Sequence, residues 1–214
     1  MKLNAKKCQY MIFTRSKEEF ATRLSVERKT IEQVPVAKLL GVWISEDLSW
    51  SRNCKEICIK AYSRLSMITK LKYVGVKIED LIDIYILFIR SVTEYCSVAF
   101  HSSLTLEQSN KLETIQKTSL KVILGEMYIS YSSALEMCGL ESLYDRRQKR
   151  CIDNALKSVK NSRTRKMFPL NQIEHGPNIR EKEIFKVNFA RTEQYRKSAI
   201  PHCQRLLNEY ETKK

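Results

Sequence analysis

Glycine and proline are scarce in this sequence, with five Gly and four Pro among 214 residues. Turns between short strands commonly use these residues, because glycine adopts positive φ angles and proline fixes φ at a value that suits a turn. A sandwich or barrel of many short strands is therefore disfavoured. Hydrophobic residues make up 43% of the chain and charged residues 29%, as in a folded protein with a packed core. The composition favours a mainly helical fold.

Short β-prone runs nevertheless occur in the first 50 residues. The predicted strands are Cys8–Thr14, Arg23–Glu27, Thr30–Val34 and Leu39–Ser45. Arg28 and Lys29 would form the tip of a hairpin between the second and third strands. Gly41 lies inside the fourth run, where a glycine often marks a bulge or a close backbone approach. We expect a small antiparallel β segment at this end of the chain.

From Ser51 the hydrophobic period changes to three and four residues, which is typical of a helix with one buried face. The apolar face of residues 51–73 comprises Cys54, Ile57, Cys58, Ala61, Leu65 and Ile68. The opposite face is basic and comprises Arg52, Lys55, Lys60, Arg64 and Lys70. The pattern predicts an amphipathic helix that packs on one side and presents cations on the other.

Further helices follow from periodicity and from capping residues. Residues 78–100 are the most hydrophobic stretch and predict one central buried helix. Thr105 and Gln108 resemble a capping box for a helix at about 105–124, and Gly125 would end it. Later helices are predicted at about 132–138, at 143–160 after the cap Ser142, and after Ser198. Residues 161–180 contain two of the prolines and predict a loop.

These patterns divide the chain into three predicted parts. Residues 1–50 hold the strands, residues 51–160 form a helical domain, and residues 161–214 form a basic extension with a short helix. The predicted fold class is mainly α, with a small antiparallel β segment at the N-terminal end, and α+β overall.

The chain is strongly basic, with 38 Lys and Arg against 24 Asp and Glu and a net charge of +14. The excess lies in residues 1–73 and 142–214, whereas residues 74–141 have more acids than bases. The densest run, Arg146–Lys166, holds nine cations and one acid, Asp153. Such a run suits contacts with phosphate groups, although a solvated helix face would have the same composition. Nucleic acid is the partner that this charge favours, ahead of an anionic membrane.

Motifs for chemistry are few. The sequence has no phosphate-binding glycine loop and no adjacent pair of aspartates that would hold two metal ions. The three histidines are not paired with cysteines at the spacing of zinc ligands. Seven cysteines without CxxC spacing, and no secretory signal, predict an intracellular protein, nuclear or cytoplasmic, with reduced thiols. No apolar run is long enough to predict a membrane span.

Several short segments together resemble the reverse transcriptases of LINE-type (Jockey-like) non-LTR retrotransposons. Near the N-terminal end, the matching residues are Leu3, Asn4, Lys7, Met11 and Phe13, then Lys38–Val42 with Ile44, and Leu48–Trp50. Among the helices, they are Ile84, Tyr85, Phe88–Val92, Glu94 and Tyr95, then Leu112, Glu113, Ile115 and Gln116, and then Ser130, Tyr131, Ala134 and Leu135. The match closes with Leu140, Leu143, Arg146 and Arg147, and with Ser198, Ile200, Pro201 and Leu206–Asn208. In this order and spacing the segments cover nearly the whole chain.

The resemblance implies a palm end and a helical thumb that bind an RNA/DNA template–primer duplex. It implies that Lys7 is a candidate proton donor to the leaving group, and that Leu40, Gly41 and Val42 form a primer-grip hairpin near the primer backbone. The basic face of residues 51–73 and the start of the basic run supply the candidate cations for this duplex: Arg52, Lys55, Lys60, Arg64, Arg146, Arg147, Lys149 and Arg150. The whole polymerase would use Mg²⁺ held by palm aspartates.

The sequence departs from the family at the catalytic motif. No Tyr/Phe-x-Asp-Asp occurs, and the palm and finger regions that would complete the enzyme are absent, so the expectation is a truncated fragment that holds no cofactor and does not polymerise alone. Lys7 is followed by Cys8 where the family commonly has Thr, and Phe100 stands where Trp is usual. Two alternatives remain open: a standalone basic helical module that binds nucleic acid, and a helical domain that binds acidic proteins.

Overall fold

The computed structural model describes residues 4, 7–14, 23–171 and 184–212. The fold is mainly α-helical with a few short strands near the N-terminal end, as the sequence predicts. The chain divides into two compact units, Met1–Glu56 and Ile57–Lys214. The three-part division with boundaries at residues 50 and 160 stays a prediction.

The first unit contains three pairs of short strands. Strand β1 (Gln9–Tyr10) pairs with β4 (Glu32–Gln33), β2 (Ser25–Val26) with β3 (Lys29–Thr30), and β5 (Val36–Leu39) with β6 (Val42–Ser45). The last two pairs are antiparallel, but β1 and β4 run parallel. The prediction of a purely antiparallel segment is therefore wrong for β1, and only two residues of the predicted strand Cys8–Thr14 are extended in a ladder.

Two hairpin turns correct the predicted strand boundaries. Glu27 and Arg28 have φ angles of 50° and 64° and form the first turn, one residue before the predicted tip. Leu40 and Gly41 have φ angles of 47° and 88° and connect β5 to β6. Consecutive positive φ angles are typical of the two-residue turns whose twist matches that of the strands they join. Gly41 thus lies in a turn and not inside a strand.

Helix α1 (Ser51–Tyr73) has the predicted bounds. Its apolar face is buried at Cys54, Ile57, Ala61, Leu65 and Ile68, and Cys58 is half-buried. The cations predicted for the opposite face are exposed. The three-and-four spacing therefore identified both the helix and its buried side.

The predicted single helix at 78–100 is interrupted twice. Helix α2 (Ile78–Ile84) passes into a π-helical turn, Tyr85–Arg90, and then into α3 (Ser91–Glu94). Cys96 has a φ angle of 55°, in the left-handed region, and separates α3 from α4 (Ser97–Phe100). A left-handed residue cannot continue a right-handed helix, so the prediction of one continuous helix is wrong. Leu81, Tyr85 and Ile89 of this stretch are buried, whereas Leu87 and Phe88 are exposed, so the prediction of a central buried helix holds for one face only.

The next three helices begin and end close to the predicted residues. Helix α5 (Leu106–Leu124) begins with a complete capping box between Thr105 and Gln108. Helix α6 is Tyr131–Met137, and α7 (Leu143–Lys160) begins at Ser142, whose hydroxyl accepts from the backbone N–H of Asp145. A capping side chain accepts hydrogen bonds from the backbone N–H groups that have no partner in the first turn of a helix. Because capping residues are few in type, the sequence predicts these boundaries well.

The C-terminal part packs onto α7. Helix α8 is Glu193–Arg196, and α9 (Ala199–Thr212) has Pro201 in its first turn, as predicted. Cys151 and Ala155 of α7 contact Cys203, Leu206 and Leu207 of α9 in one hydrophobic cluster. Within the predicted loop at 161–180, residues 165–167 form one 3₁₀ turn and Leu170 bridges to Phe185; residues 172–180 of that loop lie outside the described part. No helix that the structure describes has the length and apolarity needed to cross a membrane.

Candidate nucleic-acid interface

A buried carboxylate organises the first half of the basic run on α7. Glu94, with 2% of its surface exposed, lies at the end of α3. Arg146 donates to both of its oxygens, Arg150 donates to Oε2 at 2.8 Å, and the Arg90 guanidinium is 3.9 Å from Oε1. Bidentate Arg–carboxylate pairs are among the strongest ion pairs in proteins. Two of the four cations predicted to hold nucleic acid on α7 therefore hold the protein together.

Arg147 is a correction to the prediction. Its side chain is completely buried, with no exposed surface. Its Nε donates to Nδ1 of His101 at 3.3 Å, and its Nη2 donates to the hydroxyl of Ser109 at 3.1 Å. Because the guanidinium faces the interior, it cannot meet a phosphate on the surface, and its predicted role as a nucleic-acid contact is wrong.

His101 connects this interior arginine to Gln148. Since Nδ1 of His101 accepts from Arg147, its Nε2 carries the proton and donates to Oε1 of Gln148 at 2.9 Å. Burial is the main cause that lowers the pKa of His101, and the Arg147 charge lowers it further. The imidazole is therefore neutral at neutral pH, which avoids placing a second cation beside the guanidinium.

The N-terminal end of α7 is fixed by a second carboxylate. Glu113 on α5 accepts from the backbone N–H groups of Leu143 and Tyr144, at 3.0 and 3.1 Å, and from the hydroxyl of Tyr131. A negative charge at this position also favours the positive end of the helix dipole. The orientation of α7 thus depends on contacts with α5 and α6.

The second half of the basic run differs in its surroundings. Five exposed cations follow from the last turns of α7 into the 3₁₀ turn after it: Lys157, Lys160, Arg163, Arg165 and Lys166. We call this set the exposed basic segment. Among the described residues, no carboxylate forms an ion pair with any of the five. Within the described part of the chain, these side chains are therefore available to an external anion.

Local hydrogen bonds shape the turn that carries Arg163. The Asn161 side chain accepts from the backbone N–H of Arg163 at 2.9 Å, and the Thr164 hydroxyl donates to the carbonyl of Ser158 at 2.8 Å. Asn and Thr commonly form such bonds where a helix gives way to a turn. The exposed basic segment therefore has a defined backbone.

The remaining predicted cations are exposed but differ in their contacts. In the first unit, Arg52 pairs with Glu56 at 3.0 Å and lies 5.0 Å from the centre of the Trp43 ring, while Lys55 is exposed. In the second unit, Lys60 is exposed and Arg64 donates to the carbonyl of Phe88 in the π-helical turn at 2.5 Å. Lys149 forms an ion pair with Glu141.

The predicted primer-grip residues lie in the β5–β6 hairpin. Leu40 is 84% exposed and Gly41 is exposed, whereas the Val42 side chain is buried. Only the backbone of Val42 could therefore face a ligand. Lys7 is exposed, and its backbone N–H donates to the carbonyl of Asn4 at 2.9 Å. Its proposed role in proton donation stays a prediction.

Sequence reasoning missed Glu94 as the centre of an ion-pair cluster. One signal was present, because Glu94 follows a run of apolar residues that is expected to be buried, and a buried acid needs a partner. Its two partners on α7 are 52 and 56 residues away, so periodicity within one helix could not identify them. The exposed basic segment was visible as a charge run but was not separated from Arg146–Arg150.

Comparison of the chain with protein-family models, curated proteins and solved structures finds no match. The described residues contain no group of three or more His, Cys, Asp or Glu arranged to hold a metal ion.

Proposed function

We propose that this chain is the palm-end and thumb part of a LINE-type non-LTR retrotransposon reverse transcriptase, and that it binds a template–primer duplex without polymerising by itself. The exposed basic segment is the observation that supports binding most directly. Its five cations lie together in sequence, on a backbone of defined conformation, and no described carboxylate neutralises them. Cations of this kind bind phosphate and release the counterions condensed on the nucleic acid.

The proposed mode of binding is recognition of shape and phosphate. An RNA–DNA hybrid has a deep major groove that side chains cannot reach, so its backbone is the accessible feature. Arg and Lys contacts to the backbone position a protein without reading bases. The exposed basic segment supplies such contacts, and Lys60 and the Leu40–Gly41 turn are further proposed contacts within their own units.

The proposed lack of polymerase activity has a chemical reason. Phosphoryl transfer by two metal ions needs carboxylates that hold both ions close to the reacting oxygens. The 214 residues contain no Tyr/Phe-x-Asp-Asp, and no described acid cluster replaces it. We therefore expect no primer extension with Mg²⁺ and all four deoxynucleotides. Extension by the purified chain would contradict this part of the proposal.

Binding is tested with a labelled RNA–DNA hybrid over a series of salt concentrations. A triple variant, Lys160→Gln, Arg163→Gln and Arg165→Gln, should lower the steepness of log Kd against log salt by about 3, at roughly one unit per phosphate contact. The matched control is Lys111→Gln, Lys117→Gln and Lys121→Gln on α5. It removes the same charge, but in the wild type these lysines face Glu107 and two tyrosine rings.

The two alternatives predict different results. Affinity that does not change with salt would favour a helical protein-interaction domain and contradict nucleic-acid binding. Equal losses in both triple variants would show that net charge matters and the exposed basic segment does not. A reading frame that continues upstream of Met1 into a Tyr/Phe-x-Asp-Asp motif would support the polymerase origin over a standalone module.

A further inference from the structure

Ser162 carries the most accessible hydroxyl of the Arg146–Lys166 run. Of the three hydroxyl side chains in the run, Ser158 and Thr164 are half-buried and Ser162 is exposed. The Thr164 hydroxyl donates to the carbonyls of Ser158 and Asn161, at 2.8 and 3.5 Å. The Ser162 hydroxyl makes no hydrogen bond with any other residue that the structure describes. A reagent can therefore reach it from solvent.

The backbone at Ser162 forms a turn that is held locally. Helix α7 ends at Lys160, and Asn161 after it is extended, with φ −88° and ψ 124°. The backbone N–H groups of Thr164 and Arg165 donate to the carbonyl of Asn161 at 3.1 and 2.9 Å. Residues 160–167 have no buried side chain. Segments with few buried contacts open at a low free-energy cost, so this turn can extend within the cleft of an enzyme while the helices stay folded.

The charged residues nearest to Ser162 in the sequence are all basic. The exposed basic segment places two cations before Ser162 and three after it. The nearest acid in the sequence is Asp153, nine residues earlier. Protein kinases select their substrates in part by charge patterns around the acceptor. This pattern fits a kinase whose cleft is acidic, and it does not fit one that selects acidic flanks.

We propose that Ser162 is a phosphorylation site for a serine/threonine protein kinase that recognises basic residues, and that its phosphorylation blocks anion binding by the exposed basic segment. In the transfer, Oγ of Ser162 forms a bond to the γ-phosphorus of ATP, the bond from that phosphorus to the β–γ bridging oxygen breaks, and ADP leaves. The hydroxyl proton passes to the catalytic aspartate of the kinase. The inference rests on the proposed function and specifies how the same surface is regulated.

A phosphate on Ser162 would act on the cations at both sides of it. It carries roughly 1.5 to 2 negative charges at neutral pH and has three acceptor oxygens. Arg163 and Arg165 lie one and three residues away, and arginine forms strong charge-assisted hydrogen bonds with phosphate. Cations that hold this phosphate no longer release counterions from nucleic acid. We expect the phosphorylated chain to bind the RNA–DNA hybrid about tenfold more weakly at physiological salt, with a log Kd against log salt slope that is lower by about 2.

The test treats the full chain with ATP and a purified kinase of this class, and peptide mass spectrometry locates the phosphate. The expected product carries phosphate on Ser162, and Ser162→Ala should prevent its formation. The matched control is Ser158→Ala, which removes the hydroxyl of a half-buried serine on α7 and should leave the rate of phosphorylation unchanged. Removal of the phosphate by a phosphatase should restore binding of the hybrid. Phosphate on other residues and not on Ser162 would overturn the site.

Two further outcomes separate this inference from the proposed function. Unchanged hybrid binding by the protein phosphorylated at Ser162 would overturn the regulation and leave the proposed function intact. If the unmodified chain does not bind the hybrid, the proposed function fails, and retention on a heparin column then decides the inference. Elution of the phosphorylated chain at lower salt, reversed by the phosphatase, supports control of the exposed basic segment by Ser162, whereas identical elution overturns it.

Discussion

The two halves of the Arg146–Lys166 run have similar composition and opposite surroundings. In the first half, Arg146 and Arg150 bind the buried Glu94, and Arg147 points into the interior. In the second half, the five cations of the exposed basic segment have no described carboxylate partner. The difference arises because the first half faces α3 to α5, whereas the second half continues past the end of the helix. A dense charge run can therefore contain both a structural part and a binding part.

This difference assigns separate roles to residues of one chemical type. An ion pair in a protected site is costly to break, because removal of one partner leaves a charge without compensation. An exposed cation contributes little to the free energy of folding, so its main contribution is to ligand binding. Substitutions in the first half should therefore lower the free energy of unfolding, whereas substitutions in the second half should weaken nucleic-acid binding.

Glu94→Gln should have the largest effect on folding. The change leaves Arg90, Arg146 and Arg150 without their shared carboxylate, so the free energy of unfolding should fall by about 3 kcal/mol. Urea unfolding measures the loss. Asp153→Asn, at an exposed acid on α7, is the matched control and should change stability by less than about 0.5 kcal/mol. A Glu94 variant as stable as the control would mean that the cluster is only a surface ion pair.

Arg147→Ala should destabilise the protein by about 2–3 kcal/mol. The truncation leaves a void and removes the hydrogen bonds to His101 and Ser109 inside the protein. Lys160→Ala, on the same helix, should leave urea unfolding within about 0.5 kcal/mol of the wild type and should weaken nucleic-acid binding. If the Lys160 variant is the less stable of the two, the division between the halves is wrong.

Acid pH should weaken the packing around His202, whose ring centre lies 6.0 Å from that of His101. Burial, and then the charges of His101 and Arg205, lower the pKa of His202 from 6.5 to about 4. The folded state therefore keeps His202 neutral where the unfolded chain protonates it. This contribution to stability is complete above pH 6.5 and is lost as the pH falls toward 4. Because His202 is only partly buried and water screens its charge, we expect about 1–2 kcal/mol.

His202→Gln isolates this effect from the titration of carboxylates. The free energy of unfolding is measured in urea at several pH values between 6.5 and 4 for both proteins. The wild type should lose more stability across this window than the variant, since the variant has no imidazole to protonate at this position. Parallel pH profiles would contradict a neutral His202 in the folded state.

The sequence predicted best where structure depends on neighbouring residues. Thr105, Gly125 and Ser142 marked ends of α5 and α7, because capping and positive φ angles are local requirements. The sequence did not predict the helix break at Cys96, because no glycine or proline lies at this position. Cysteine rarely adopts a left-handed conformation, so tertiary packing imposes this one.

The candidate site was less predictable than the fold. The charge run was visible in the sequence, but the partners of its cations were not. Glu94 reaches Arg146 across 52 residues, and Arg147 reaches His101 across 46 residues. Such contacts depend on how the helices pack, which helical periodicity alone does not specify. Composition therefore identified a basic surface. Only the packing of α7 shows which of its cations form ion pairs within the protein and which are exposed.

The cap of α7 offers the smallest and most local test of the comparison. Ser142→Ala removes the hydroxyl that accepts from the backbone N–H of Asp145, at the end of α7 that precedes the ion-pair half. The expected loss is about 1 kcal/mol, as for other N-cap serines, and Ser142→Asn should restore most of it. Glu113 still accepts from the backbone N–H groups of Leu143 and Tyr144, which limits the loss.

Binding of the RNA–DNA hybrid should stay unchanged while the protein is folded, because the exposed basic segment lies at the opposite end of the helix. Weaker binding by the folded Ser142→Ala protein would mean that the two ends of α7 are coupled, and the two halves of the run could not then be treated as independent.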